Sequence, residues 1–262
     1  MTADRWAQAV RQQLGLGRLL PLGGPGDGAW IAEPAAVAEL RRAVSAVRGV
    51  RLGSLRLALA DPEGEYASTV PAPPSALPPG PLRIVAECAA TAAEPLPQAA
   101  ARLRTALAEA AGEGLGLVVT EVDLQVTALL DEAPDRPTET MEPTEKKAER
   151  GERGEEPAEP AAPASGPASP SLSGDEQRVA AAALAVPGVA RLTGALGGLG
   201  RAVHIEEPDA ATSLPRRHVR VELAVGPGHR ALTVAGAVRE AVPKALPDRP
   251  TVTVLVTEVA ST

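Results

Sequence analysis

The chain has 262 residues, a single cysteine, no phenylalanine and a net charge of −7, which suffices for two small domains and excludes an internal disulfide. Its acidity is local: residues 1–128 carry 11 Lys+Arg against 13 Asp+Glu, residues 129–177 carry 5 against 13, and residues 178–262 carry 10 against 7, so neither end is a strongly charged surface for a nucleic acid or an acidic partner. No apolar run reaches the roughly 18 residues a spanning helix needs, and Asp4, Arg5, Arg11 and Arg18 interrupt any secretion signal, so a cytoplasmic protein is expected.

Composition carries a bias of its own. Asn and Phe are absent, Lys occurs only at 146, 147 and 244 and Ile only at 31, 84 and 205, while Ala, Arg, Gly and Pro abound. This is the signature of a high-GC bacterial genome, and it leaves Val, Leu and Ala to build any core.

Residues 2–14 place Trp6, Ala9, Val10 and Leu14 at helical spacing before a glycine-rich stretch from Gly15 to Gly28. Pro34 opens a helix that runs to about Val47, with Val37, Leu40 and Val44 on one face and Gly49 beyond its end. Leu55, Leu57 and Leu59 alternate as in a half-buried strand, and Asp61–Gly64 reads as a turn into a second strand near Tyr66. The Pro71–Pro81 run is an irregular loop, after which Leu82–Ala90 resumes strand alternation. Ala99, Leu103, Ala106, Leu107 and Ala110 form the stripe of a helix ended by Gly112, and Val118, Val122, Leu124 and Val126 alternate with Glu121, Asp123 and Gln125 in a last strand.

From Glu132 to Gly174 the chain is Pro, Glu, Ala, Ser and Gly with almost no branched apolar residues, the composition of a disordered, extended tether. Ser173 and Glu176 then form a capping-box pair opening a helix with Val179, Ala182, Ala183 and Val186. Strands follow at Val203–Ile205 and Val219–Val225, a helix over Leu232–Ala245 and a closing strand at Val252–Val256.

The second run repeats the first. Val47-Arg48-Gly49-Val50 returns as Val186-Pro187-Gly188-Val189, and the distance to the next extended run is 33 residues from Gly49 to Leu82 and 31 from Gly188 to Val219. In the closing strand, matching buried parity sets Val122, Leu124 and Val126 against Val252, Val254 and Val256 rather than aligning the two Thr-Glu-Val tripeptides. The expected fold is α+β: two small repeated domains, each a three- to four-stranded sheet packed on two helices, joined by a disordered acidic linker. Its boundaries are an N-terminal helix and Gly-rich segment at 1–28, a first unit at 29–130, the linker at 131–174 and a second unit at 175–262.

Reactive residues are sparse. His204, His218 and His229 lack an i, i+4 pairing or a second cysteine, so no metal or cofactor site is expected. His204 and His218 fall on the polar parity of their strands. Cys88 shares its parity with Leu82, Ile84 and Ala86, which makes it a core side chain. Gly194–Gly200 lacks the Lys-Ser/Thr of a phosphate loop and precedes a strand rather than a helix, so it reads as a hairpin connection, and no basic helix or aromatic flanks its Gly-x-x-Gly as in a KH clamp. No catalytic constellation is present and no enzyme is expected. Arg216, Arg217, His218 and Arg220 form one basic strand end, the candidate site for a partner or phosphate and the basis of the alternative reading as a small nucleic-acid-binding module.

A helix ending in Val-x-Gly-Val, a hairpin, an alternating Val strand, an amphipathic helix and a closing Val strand resembles the alkaline-shock-protein family of envelope stress response proteins. Ala29-Trp30-Ile31-Ala32 before the first helix looks like the family's opening, and Val252-Thr253-Val254-Leu255-Val256 like its close. The chain departs from the family in having two units, the Pro71–Pro81 insertion and the long tether. It is also similar to uncharacterised actinobacterial proteins labelled as a nucleopolyhedrovirus family, a label from which no function follows. The resemblance implies a non-enzymatic cytoplasmic scaffold that self-associates and meets small membrane proteins at the inner face of the envelope, without inserting into it.

Overall fold

The computed structural model describes residues 16–130, 173–195, 201–207 and 217–260. The expected helix at 2–14 and all but the last two residues of the expected tether lie outside them, as do Arg216 and most of the Gly194–Gly200 run. The described chain is mixed α+β, with four α-helices and two sheets.

The first half supplies the smaller sheet. Strand β3 (Val50–Leu59) runs antiparallel to β4 (Leu82–Thr91), and β4 runs parallel to β5 (Val119–Leu130). Helix α1 (Glu33–Ser45) precedes β3 and has Pro34 in its first turn, where a missing N–H costs nothing. It buries Ala36, Leu40 and Val44. Helix α2 (Leu96–Glu109) crosses from β4 to β5 and buries Ala99, Leu103 and Leu107. No strand forms near Tyr66: β3 pairs directly with β4, so the turn at Asp61–Gly64 opens a loop instead of a hairpin. Nor does Gly112 stop α2, because the chain continues as a π-helical turn over Ala110–Leu115 and ends at left-handed Gly116.

The second half repeats this order. Helix α3 (Gly174–Leu184) carries the capping box, with Glu176 N donating to Ser173 Oγ at 3.2 Å and Ser173 N to Glu176 Oε2 at 2.6 Å. Strands β6 (Val189–Leu192) and β7 (Val203–Glu206) both run antiparallel to β8 (His218–Val225), α4 (Ala231–Ala245) crosses over, and β9 (Thr251–Val259) runs parallel to β8. Strands β6 and β7 pair with successive stretches of β8. Together they occupy the place that β3 holds unbroken: Leu55 pairs with Ala86 as Val203 pairs with Val221, and the interruption falls where β3 itself has a register shift between Leu52 and Leu55.

The correspondence reaches single hydrogen bonds. Thr91 N donates to Gly49 O at 2.9 Å, and Gly226 N to Gly188 O at 2.8 Å, with both acceptor glycines at positive φ. The β4–β5 register slips after Cys88–Val126, the β8–β9 register after Leu223–Val256. In each slip a threonine hydroxyl reaches the carbonyl opposite, Thr127 Oγ1 to Cys88 O and Thr257 Oγ1 to Leu223 O, both at 3.3 Å. This equates Val126 with Val256, the register chosen by buried parity.

The sheets do not come out as three or four strands each. A hairpin of β1 (Leu19–Leu22) and β2 (Ala29–Ala32), from a stretch read as Gly-rich connection and family-like opening, adds to the second half: β2 runs parallel to β9, giving a six-stranded sheet beside the three-stranded one. The parity of β2 explains the addition. Ala29 and Ile31 enter the main core with Val254 and Val256, while Trp30 joins Leu255 in a second cluster on the other face. That main core contains residues of both halves in one cluster.

Gly116 marks where the halves touch. Its φ is +96°, its carbonyl accepts from Gly23 N at 2.8 Å, and a side chain there would run into Leu232 of α4. Gly112, one turn earlier, has nothing within 4 Å of an added Cβ. Gly116→Ala is therefore expected to lower unfolding free energy by about 2 kcal/mol or more, whereas Gly112→Ala should be neutral or stabilise by up to about 1 kcal/mol. Urea denaturation of both variants checks this, and equal effects would contradict the close approach.

A protease site engineered into residues 135–172 offers a second check. Because one core spans both halves, the cleaved fragments should still elute together on gel filtration under native conditions. Separation without denaturant would mean that the halves are independent.

Candidate functional site

The basic strand end lies where β8 begins. Arg217 is held on three sides: Nε and Nη2 donate to Asp248 at 2.7 and 2.6 Å, and Nη1 to Asp175 Oδ2 at 2.7 Å. This fork raises the guanidinium pKa, while Arg217 pulls the Asp248 carboxyl below its ordinary value. Arg217 thereby ties the start of α3 to the turn before β9.

His218 and His204 do not lie on a wet face as their parity suggests. His218 is buried, with Nδ1 at 2.8 Å from Thr251 Oγ1. His204 points toward the Glu222 carboxylate, its Nε2 at 3.6 Å from Oε1. Burial is the main cause that lowers both histidine pKa values; Arg220 adds to the effect at each, and Glu206 opposes it.

In the sequence Glu222 is a carboxylate that, with Glu206 and Glu207, would compete with phosphate at the basic strand end; the structure buries it. It sits in β8 among Val219, Val221, Leu223 and Val225, on the opposite parity, and its side chain is wholly shielded from solvent. Its Oε2 accepts from Ala195 N at 2.8 Å, and Oε1 has Arg220 Nε at 3.7 Å besides His204. Arg220 also faces Glu206 at 3.7 Å. A shielded carboxylate is tolerable only with such partners, since an isolated one costs several kcal/mol. The burial comes from coverage of the sheet's outer face, which strand alternation cannot report. Part of that cover is the proline-rich loop: Trp30 Nε1 donates to Leu77 O at 3.1 Å and Thr253 Oγ1 to Pro71 O at 3.0 Å.

The structure thus brings Arg220, His204, Glu206 and Glu222 together and sets Arg217 apart in its own clamp. His229 stands elsewhere, with Nδ1 3.0 Å from Pro227 O. Cys88 is buried on the inner face of β4, where desolvation raises its pKa and leaves the thiol protonated. Among the described residues no group of three His, Cys, Asp or Glu side chains is placed to hold a metal ion, and no helix is long and apolar enough to cross a membrane. A groove of about 660 Å³ lies away from these residues, between the end of α1 and α2, with Val47, Arg48, Arg102 and Ala106 in its walls. Arg102 is engaged there by Glu94 and by the Arg48 carbonyl.

Chemically, the cluster on the outer face is a knot of one guanidinium, one imidazole and two carboxylates. Protein-family models, curated proteins and solved structures give no match to the chain.

The histidines give the fold a defined pH response. An unfolded chain protonates them as pH falls through about 6.5, the ordinary value, whereas the folded chain resists until lower pH. The unfolded state then binds more protons, so stability is complete above about 6.5 and declines below it. The denaturation midpoint should fall between pH 7.5 and 5.5, with a flatter dependence in the His204→Gln/His218→Gln double variant. An unchanged slope in that variant would remove these histidines as the cause.

Proposed function

We propose that the protein is a non-enzymatic interaction and scaffold protein of the alkaline-shock type, acting in the cytoplasm at the inner face of the cell envelope through protein partners that include small membrane proteins. One contrast carries the reading. The charged side chains of the outer-face cluster face one another within the chain, while strand β5, twelve residues long at the edge of the smaller sheet, carries exposed Val126 and Leu129 and is preceded by exposed Val118. Apolar side chains along an unpaired edge suit recognition of another protein. Arg217 and Arg220, which face Asp175, Asp248, Glu206 and Glu222, suit phosphate poorly.

The test is affinity recovery of the tagged full-length chain from separated membrane and soluble fractions. The proposal expects small membrane proteins in the membrane fraction, with their recovery reduced several-fold by Leu129→Lys. Recovery of nuclease-sensitive RNA or DNA from the soluble fraction, reduced instead by Arg220→Gln, would overturn it in favour of a nucleic-acid module.

A further inference from the structure

We propose that the outer edge of β5 is a dimerisation strand, pairing antiparallel with β5 of a second copy of this chain about a twofold axis near Leu124. This deepens the scaffold reading and rests on it only for its biological purpose. The other edges of the two sheets are occupied or short. Along β1, Ser75–Leu77 already occupies the edge: Leu19 N donates to Ser75 O at 3.3 Å, and Leu77 N to Leu19 O at 2.8 Å. On β3, arginines hold the carbonyls, Arg18 Nη2 to Leu57 O at 2.7 Å and Arg41 Nη2 to Gly53 O at 2.8 Å. Strands β6 and β7 have four residues each, too short to template much pairing. Among the described residues, β5 is the long edge whose contact is slightest: Arg104 Nε lies 3.3 Å from Val122 O.

The equivalent edge in the second half is filled. β5 corresponds to β9 through the matched slips at Val126 and Val256, and β9 receives β2 on the side away from β8. The same architecture therefore accepts a strand at this position elsewhere in the chain. At β5 the inward-parity residues Val122 and Leu124 are only partly buried, and Val126 is 39% exposed.

The bond from Arg104 shows that the Val122 carbonyl points away from β4, and the two-residue period of a strand gives Leu124 the same outward direction. An antiparallel pair centred on Leu124 sets Leu124 against its own copy and Val122 against Val126. On the other face it sets Asp123 against Gln125 and Glu121 against Thr127, so no carboxylate opposes another. The two Asp123 side chains are diagonal neighbours, each within 3.9 Å of its own Arg83, which also lies 3.7 Å from Glu121. One such edge per chain gives a closed pair, whereas two complementary edges would give a filament.

The decisive measurement is sedimentation equilibrium of the full chain over a wide concentration range. A reversible dimer is expected. Gln125→Arg, facing Asp123 across the axis, should tighten it several-fold, and Gln125→Glu should weaken it by a similar factor. Val126→Pro, which removes an edge N–H, should raise the dissociation constant by about tenfold or more; circular dichroism verifies that each variant keeps its fold. A monomer at every concentration overturns the proposal, and so does a dimer indifferent to both Gln125 charges. A dimer that recovers no membrane protein sinks the scaffold reading alone, whereas a monomer that recovers them sinks the dimer alone.

Discussion

The parallel contact between β2 and β9 is the constraint on which the rest of the structure depends. It is short, with Ala29, Trp30 and Ile31 facing Val254, Leu255 and Val256, yet it joins the beginning of the described chain to its end. Arg239 of α4 secures the junction: Nη1 donates to Gly26 O at 2.8 Å and to Asp27 O, and Nε to Val252 O at 3.0 Å. One guanidinium thus holds the β1–β2 turn, the crossover helix and the closing strand. Because β2 runs directly into α1, fixing it also fixes where α1 lies, and α1 packs against β3 of the small sheet and against β9. Two halves that repeat one another are in this way committed to a common core, whose burial contributes roughly 25 cal/mol for each Å² of apolar surface removed from water.

The same addition explains why a carboxylate survives inside a six-stranded sheet. Without β1 and β2, β9 would be an edge and the outer face beside it would be wet. With them, Trp30, Leu255, Leu19 and Val70 form a second apolar cluster on that face. The Pro71–Pro81 stretch is anchored there by Trp30 and Thr253. Coverage lowers the dielectric around β8, and Glu222, His204 and Arg220 settle into mutual compensation.

Much of the local structure was legible in the sequence because it rests on local physics. The Ser173–Glu176 box, the Gly49 and Gly188 marks after their helices, and the buried parity of Val122–Val126 and Val252–Val256 each follow from contacts within a few residues or from strand period. What escaped depends on partners far away. Leu19–Leu22 reads as connection because its pairing with Ala29–Ala32, and theirs with Val254–Val256, leaves no periodic trace in four residues. Tyr66 was assigned a strand on turn chemistry alone, although β4 already supplied a longer partner for β3. Gly112 looks like a stop, yet the helix runs on to Gly116, whose left-handed backbone is needed against Leu232. Glu222 stands on the polar parity of β8 yet is shielded, because alternation names a face without saying whether that face is covered. For the basic strand end, the sequence grouped Arg216–Arg220 by proximity, while the fold separates Arg217 from Arg220 and gives each its own carboxylates.

The repeat sharpens the difference between the two sheets. Both carry the same turn bond, the same slip and the same threonine hydroxyl bond, so both β5 and β9 derive their shape from the same rules. Only β9 receives a neighbour from within the described chain. Its inward parity carries Val252, Val254 and Val256, and its outward parity has Thr251, Thr253 and Leu255 where β5 has Glu121, Asp123 and Gln125. β5 keeps charge on its outer parity, with Glu121 and Asp123, and puts Val122 and Leu124 half-buried on the inner one. A strand adapted to permanent isolation would have polar residues or proline along its edge. One adapted to permanent burial would have lost its carboxylates, as β9 nearly has. The intermediate composition of β5 matches an edge that is covered part of the time, which is the physical requirement for an association that must also come apart.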